Sequence, residues 1–384
     1  MGGYFTAPQV GWGPGAIEQL SGLGARRALV VVDPILAKRG AERRIVEELG
    51  KSDTAVEVST DVVVEPTVAS LEPGIDTARR HRPDWIVALG GGSTIDTAKG
   101  IWVRYAQPAL ELRAVTPLVE LSLRTAARFV AIPTTSGSGS EATWVTHLRD
   151  SDGRLLEAGA RELMPDWALL DPAYGESLPA STAAEAAADL LAHALEAIAS
   201  EWANPLSNAL AREAIGLAVP ALPRALRPAA DPEAREHLQF AATMAGVAAA
   251  NSQLGVAHAL AHALGGVAAV PHARIVAAIL PYVIEFNYPS ARERYMALAP
   301  VLGAAAVQNR SALTERLRAL WGAAGLPLTL EKAGISRDVV VAERARILEW
   351  ARAGSSFVSN PRIPSSEELG RLLDVALSGG AVAF

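Results

Sequence analysis

WIVALGGGSTIDTAKG, residues 85–100, joins an apolar run to a helical pattern through three glycines. Trp85–Leu89 is short, apolar and bounded by glycine, which reads as a buried strand. Gly90, Gly91, Gly92, Ser93 and Thr94 follow it, and helical periodicity runs over Ile95–Tyr105. Successive glycines allow positive φ and let a ligand approach the backbone closely. The first N–H groups of the next helix form an anion site, so the loop reads as a pyrophosphate cradle at the carboxyl end of a parallel strand. It also reads as an ordinary tight βα turn. The pattern is not GxGxxG, so the usual Rossmann fingerprint is absent.

Outward from this loop, Ala28–Val32, Ala55–Val58, Phe129–Ile132 and Ala168–Leu170 also read as buried strands. Amphipathic segments at Ala41–Leu49 and Thr67–Arg80 lie between them, so right-handed βαβ units around a mainly parallel sheet are expected. A second loop, IPTTSGSGSEAT at 132–143, again follows a strand. Its Thr134, Thr135, Ser136, Ser138 and Ser140 hydroxyls suit a phosphate or ribose, or an ordinary Ser/Gly linker. Asp33 closes the strand ALVVVD, where a carboxylate suits the adenine ribose hydroxyls and repels a 2′-phosphate, favouring NAD over NADP. Asp33 equally reads as a cap for the turn at Pro34.

The character changes near Leu178–Thr182. Ala/Leu/Glu-rich stretches with almost no strand signal follow, broken at Pro205, Pro220–Pro232, Pro271, Pro281, Pro289, Pro327 and Pro361. The expectation is an α/β domain over 1–178 and an all-helical domain over 179–384, two cores being the sensible reading of 384 residues. ASTAAEAAADLLAHALEAIAS is expected to be a helix capped by Ser181 or Thr182, with Glu185 in its first turn. A net charge of −6 offers no footprint for nucleic acid or an anionic membrane. The absence of cysteine excludes disulfides, thiol nucleophiles and iron–sulfur clusters, leaving any metal to His and carboxylates. With no signal peptide or membrane span visible, a cytoplasmic protein is expected.

The chain has seven histidines. Asp189 and His193 are four apart on an expected helix and share one face; His258 and His262 repeat the spacing, and His272 follows Pro271. Their neighbours are apolar or small. A carboxylate buried there is costly unless paired, hydrogen-bonded or bound to a cation. A lone histidine in such a place is usually a hydrogen-bonded core residue, but an Asp with several histidines at ligand spacing is better explained by a shared divalent metal. Spacing alone leaves either His258 or His262 as the ligand.

These motifs resemble the iron-containing (group III) alcohol dehydrogenases over nearly the whole chain, from Gly13–Gly15 to Asn360–Arg362. GGGSTIDTAKG is similar to that family's GGGSxxDxAK, and IPTTSGSGSEAT to its IPTTxGTGSExT, with Ser138 in place of Thr. DLLAHALEAIAS resembles DxxxHxxEAYxS, and ANPLSNALAREAI resembles NPxxDxxAxxAI. The resemblance implies Asp189, His193, His258 and His272 as metal ligands, Fe²⁺ first and Zn²⁺ as the alternative, and makes His262 a proton relay. It sets NAD, or NADP, against Gly90–Thr94, Asp96, Lys99, Thr134, Thr135 and Ser138, with Asp33 at the adenosine ribose. It implies hydride transfer between NAD(P)(H) and a small alcohol, aldehyde or ketone, with the metal a Lewis acid at the substrate oxygen, in a homodimer or larger assembly.

Several positions depart from the pattern. PHGxxNA becomes PHARIVAA, with Ala273 for glycine and Val276 near the asparagine, and LPHV becomes LPYV at Tyr282. His147 occupies a usually apolar position, where it is either simply exposed or reaches the nicotinamide or substrate. These changes are expected around the substrate. Apolar surroundings suit a small alcohol or short diol, whereas Arg149 and Arg154 suit an acidic one. The alternatives are a related enzyme with an acidic or phosphorylated substrate, or a non-catalytic binding protein on the same scaffold.

Overall fold

Alternate residues of the apolar runs face opposite sides of one sheet. The computed structural model describes residues 4–176, 178–227 and 231–384. Its strands are β1 (Gln9–Trp12), β2 (Arg27–Val32), β3 (Ala55–Ser59), β4 (Trp85–Gly90), β5 (Arg128–Pro133), β6 (Val145–Arg149), β7 (Leu155–Gly159) and β8 (Trp167–Leu170). Helices α1 (Pro34–Lys38), α2 (Arg43–Gly50), α3 (Glu72–His81), α4 (Gly92–Ala106) and α5 (Leu123–Ala126) lie among them. Leu29, Val31, Ile86, Ala88, Phe129 and Ala131 pack with Ile75, Ile101 and Trp102 on one side. Val30, Val32, Val87, Leu89, Val130 and Ile132 pack with Ile17, Ile45 and Leu49 on the other. Both faces are covered, so these strands read as continuous apolar runs. Each such side chain contributes roughly 1.5–3 kcal/mol by leaving water.

The sheet has the order β1-β8-β5-β4-β2-β3 with every pairing parallel. Strand β2 pairs with β3 on one side and β4 on the other, so the chain reverses its direction of winding between β2 and β4. That is the topological switch point where open α/β sheets bind ligands. Register brings Val32 opposite Leu89 and Gly90 opposite Pro133. Asp33 N donates to Leu89 O at 3.1 Å, and Thr134 N donates to Gly90 O at 3.1 Å. Asp33, the glycine loop and the second loop therefore stand side by side at the carboxyl ends of adjacent strands.

Two parts of this unit differ from expectation. The edge strand β1 is short and contains a glycine, QVGW, which hides it from pattern reading. The antiparallel hairpin β6–β7 turns at Gly153, with φ of 86°, where Gly153 N bonds Asp150 O. Its strands carry mixed polar and apolar residues.

Beyond Leu170 the described residues contain helices and no strand. They include α6 (Ala180–Ala199), α7 (Pro205–Ala225), α8 (Pro232–Ser252), α9 (Val256–Gly265) and α10 (His272–Met296), then Arg310–Ala323, Arg337–Ala353 and Ser366–Ser378. Ala186–Ala199 of α6 is buried throughout, its alanines letting neighbouring helices approach closely. Thr6–Leu178 form one compact unit and Pro179–Phe384 another. No described helix is long and apolar enough to cross a membrane.

The proline breaks are only partly as expected. Pro205 and Pro232 open α7 and α8, and Pro271 precedes α10. Pro220 and Pro223 instead lie inside α7, and Pro281 and Pro289 inside α10. Proline removes one helical N–H and leaves the carbonyl four residues earlier without its donor. For Pro281 that carbonyl is Ala277 O, and the buried Trp321 Nε1 donates to it at 2.9 Å. Tertiary packing thus replaces the missing hydrogen bond. Ser181 and Thr182 do not cap α6 either. The helix begins at Ala180 after Pro179, so both lie within its first turn. Glu185 falls beyond that turn and pairs with Arg274 at 3.5 Å.

Candidate functional site

Helix α6 brings Asp189 and His193 onto one face, α9 supplies His258, and His272 is the first residue of α10. Ligand atoms of Asp189, His258 and His272 lie within 4.8 Å of one another. Asp189 Oδ1 is 3.5 Å from His258 Nε2 and 3.8 Å from His272 Nε2. Asp189 Oδ1 and His258 Nε2 are both buried and hydrogen-bond to nothing among the described residues. Native proteins rarely leave two such atoms unsatisfied, so their convergence fits a cation. His193 stands outside this tight group. Its Nδ1 donates to Asp189 O at 2.8 Å, leaving Nε2 as its available ligand atom.

The electrostatics agree with that reading. Burial acts to raise the Asp189 pKa, but His193, His258 and His272 outweigh it and hold the carboxyl well below its usual range. Burial acts to lower His258, yet the adjacent Asp189 and Glu196 carboxylates raise it to about 9. Two carboxylates flanking one imidazole thus favour positive charge at this place. Burial, with His262 alongside, holds His272 well below 6.5, and burial likewise lowers His193. Neutral imidazoles are what a metal requires.

The shared face of His258 and His262 resolves into two different environments. His258 is 1% exposed, whereas His262 is half-buried. The His262 ring stacks on His272 at 4.9 Å and lies 5.9 Å from His258, outside the tight group. The sequence reading gave no role to Glu196, which is buried and lies 2.5 Å, through Oε2, from His258 Nδ1. Its signal was present in DLLAHALE: Asp189, His193 and Glu196 recur at helical spacing on one face.

In the other unit, the glycines work through close packing. None of Gly90, Gly91 and Gly92 has positive φ, contrary to the expectation. A Cβ on Gly90 would stand 2.2 Å from Thr94 Oγ1, and one on Gly92 would stand 2.8 Å from Ser138 Oγ. The two loops are therefore fitted to each other, while the first N–H groups of α4 keep no partner within the helix. Gly91, Gly92, Ser93, Thr135 and Ser138 are half-buried; Thr94, Asp96 and Thr134 are buried. Ser93 Oγ accepts from Glu65 N at 3.2 Å. Lys99 is fully buried, with Nζ bonded to the carbonyls of Ser140, Thr143 and Val145 at 2.8, 2.6 and 3.0 Å. It ties α4 to the second loop. His147 Nδ1 lies 3.7 Å from Asp96 Oδ2. Asp33 Oδ1 accepts from Ile35 N and Leu36 N, so this residue does cap α1.

Comparison with known proteins bears directly on these two sites. Residues 8–172 match the family described as iron-containing alcohol dehydrogenase, and residues 183–377 match its C-terminal domain. The NADPH-dependent butanol dehydrogenase of Clostridium saccharobutylicum is 32% identical, over 99% of each chain. The chain belongs to the iron-containing alcohol dehydrogenase family. The bifunctional aldehyde-alcohol dehydrogenase AdhE of Escherichia coli strain K12 is also 32% identical over 94% of this chain, which spans only 44% of that relative. Among solved structures, the iron-containing alcohol dehydrogenase of Thermococcus thioreducens superposes with a TM-score of 0.89 at 30% identity, covering 98% of this chain and 100% of that one.

Within this iron-containing alcohol dehydrogenase, the departures from the family pattern lie at different depths. Ala273 is next to His272 and half-buried, whereas Val276 is fully buried in the helical core. Tyr282 is ten residues along α10 from His272, about 15 Å at 1.5 Å per residue. Its hydroxyl donates to Leu328 O at 2.9 Å, and Arg318 lies over its ring at 5.2 Å. Tyr282 is therefore a packing residue away from the Asp189 and histidine cluster, contrary to the expectation.

Proposed function

We propose that this enzyme interconverts a small alcohol and its aldehyde or ketone with NAD(P)(H), using a divalent ion held by Asp189, His193, His258 and His272. The observation that carries the reading is the pair of buried, unpartnered atoms Asp189 Oδ1 and His258 Nε2, 3.5 Å apart. One carboxylate and three imidazoles suit Fe²⁺, with Zn²⁺ the alternative. When bound, the ion supplies Lewis acidity at the substrate oxygen and the nicotinamide carries the hydride.

The chain's own residues do the remainder. Asp189 contributes negative charge, and His258 and His272 contribute neutral nitrogens. His262, stacked on His272 and only half-buried, passes the alcohol proton to or from solvent. Gly90–Thr94, Asp96, Thr134, Thr135 and Ser138 form the dinucleotide site, with the N-terminus of α4 at the pyrophosphate. Lys99 supports that site through the second loop, and His147 faces the nicotinamide end. Asp33 favours NAD at the ribose; NADP is the alternative, since the butanol dehydrogenase relative is NADPH-dependent by name. An uncharged substrate is supported by Arg149, whose guanidinium is paired with Glu65 at 2.9 Å. A cytoplasmic homodimer or larger assembly completes the reading.

The test is reconstitution with Fe²⁺ or Zn²⁺, followed by a panel of alcohols and aldehydes assayed with both cofactors. Turnover of a short primary alcohol or diol is expected. Stoichiometric ion and cofactor binding without turnover of any substrate would favour a binding protein instead.

A further inference from the structure

Helix α9 has no side-chain cap of its own, because the residue before it is Gly255. Its first donors are nevertheless satisfied from elsewhere. Asn360 Oδ1 accepts from Val256 N at 3.1 Å, and Glu196 Oε1 accepts from Ala257 N at 2.8 Å. The other Glu196 oxygen, Oε2, lies 2.5 Å from His258 Nδ1. Gly255 permits this close fit. A Cβ there would stand 2.6 Å from Glu196 Oε1 and 2.7 Å from Asn360 Oδ1. Asn360 is itself fixed, exchanging amide bonds with Asn287 at 2.9 and 2.7 Å and donating to Arg362 O at 2.6 Å.

An ionised carboxylate only accepts hydrogen bonds. With Oε1 taken by Ala257 N–H, Oε2 demands a proton on His258 Nδ1. The lone pair of the neutral ring then lies on Nε2, the atom that faces Asp189 Oδ1 at 3.5 Å and has no partner. A carboxylate behind a ligating histidine is a general device for fixing tautomer and ring orientation.

We propose that Glu196 is a positioning residue for the metal centre: it holds His258 as the Nδ1–H tautomer and aims Nε2 at the ion. Gly255 leaves room for Glu196 at the start of α9, where Asn360 holds the neighbouring Val256 N–H. The proposal rests on the reading of Asp189, His258 and His272 as ion ligands. Glu196 acts through His258 alone and need touch neither substrate nor cofactor.

Glu196→Gln separates positioning from simple capping. An amide has one acceptor oxygen and one NH₂ donor. If its oxygen accepts from Ala257 N–H, the NH₂ faces His258 Nδ1 and drives the proton to Nε2. If it is reversed, the NH₂ opposes Ala257 N–H. The experiment titrates full-length wild type and variant with Zn²⁺ against a competing chelator, and measures thermal unfolding of both metal-free proteins. The wild type is expected to bind Zn²⁺, and E196Q to bind it about 10–100-fold more weakly, the range for lost outer partners of ligands. A purely structural role would lower the metal-free unfolding temperature and leave affinity intact; E196Q affinity within about twofold of wild type would overturn the proposal. If E196Q does not fold, Glu196→Asp keeps the charge but draws the carboxylate back from His258 Nδ1 by one methylene, and an unchanged Zn²⁺ affinity there would count equally against it. A wild type that binds no Zn²⁺ or Fe²⁺ would remove the metal-centre reading itself, a result distinct from equal affinities.

Discussion

Lys99 Nζ lies 2.6 Å from the carbonyl oxygen of Thr143, and these residues sit on the elements that carry the two glycine loops. Three carbonyls around one Nζ match the three donors of an ammonium. The loop after β4 and the loop after β5 are therefore joined by a buried cation as well as by the contact of Gly92 with Ser138. Their relative position depends on that charge.

Lys99→Met should loosen this connection. It takes Nζ away from the carbonyls of Ser140, Thr143 and Val145, of which Ser140 O keeps Thr143 as a donor, and an unsatisfied buried group costs about 1–3 kcal/mol. A pH signature accompanies the loss. Burial lowers the Lys99 pKa from 10.5 to about 8, with Asp96 and Glu141 partly opposing it. Between those values the unfolded chain keeps a proton that the folded chain releases, so this group makes stability rise with pH. Below about pH 8 both states are protonated and the burial penalty is fully present. Urea midpoints should thus show a gap between wild type and K99M that is constant below pH 7 and changes between pH 8 and 10. A gap that stays constant up to pH 10 would contradict the assigned environment.

Legibility in the sequence followed burial except at β3, where Ala55–Val58 reads as a buried strand but forms a mostly exposed sheet edge. Strands β2, β4, β5 and β8 were readable because both sheet faces are covered, which turns each strand into an apolar run. Strand β1 and the β6–β7 hairpin lie outside that rule. Pro281 read as a break because local pattern cannot see Trp321, whose indole N–H supplies the bond that proline removes. The Asp189 and histidine spacings were legible from helix geometry, but His258 and His262 share a face. Only tertiary contacts, with Glu196 behind one ring and His272 against the other, distinguish them. Consecutive glycines suggest positive φ, whereas here Gly90 makes room for Thr94, and Gly91 and Gly92 for Thr135 and Ser138 of the second loop.

The proposed metal centre predicts a division of labour. Asp189→Asn and His258→Ala should each abolish stoichiometric ion binding and, with it, nearly all turnover. His262→Ala should retain the ion and lose about 10²–10⁴-fold in kcat, the usual contribution of a general acid–base group. Elemental analysis alongside steady-state kinetics checks both. A His262→Ala protein that lost its ion would place that ring among the ligands instead.

Asp33→Ser separates the two roles of that carboxylate. Serine also caps helices, so α1 should keep a side-chain acceptor for its first N–H groups. The negative charge at the proposed ribose position is lost, and with it the repulsion of a 2′-phosphate. The ratio of kcat/KM for NADPH over NADH should rise by on the order of tenfold, which corresponds to about 1.4 kcal/mol. An unchanged ratio would leave Asp33 as a cap and nothing more.

Gly90→Ala tests whether the first loop is built by close packing. The added Cβ would stand 2.2 Å from Thr94 Oγ1 and 2.5 Å from Thr94 Cβ. Thr94 is 1% exposed and β-branched, so its side chain has little room to turn away. The backbone of the loop or of α4 must shift instead, and overpacking of this kind costs about 1–3 kcal/mol. Because φ at Gly90 is not positive, the cost comes from contact and not from backbone strain. Thr94→Gly removes all three clashing atoms, Oγ1, Cβ and Cγ2, at its own expense in helix stability, roughly 1 kcal/mol. The double variant G90A/T94G should therefore be more stable than the two single changes sum to, with a coupling of about 0.5–3 kcal/mol by urea denaturation. Additive effects would mean that Thr94 is not what Gly90 makes room for.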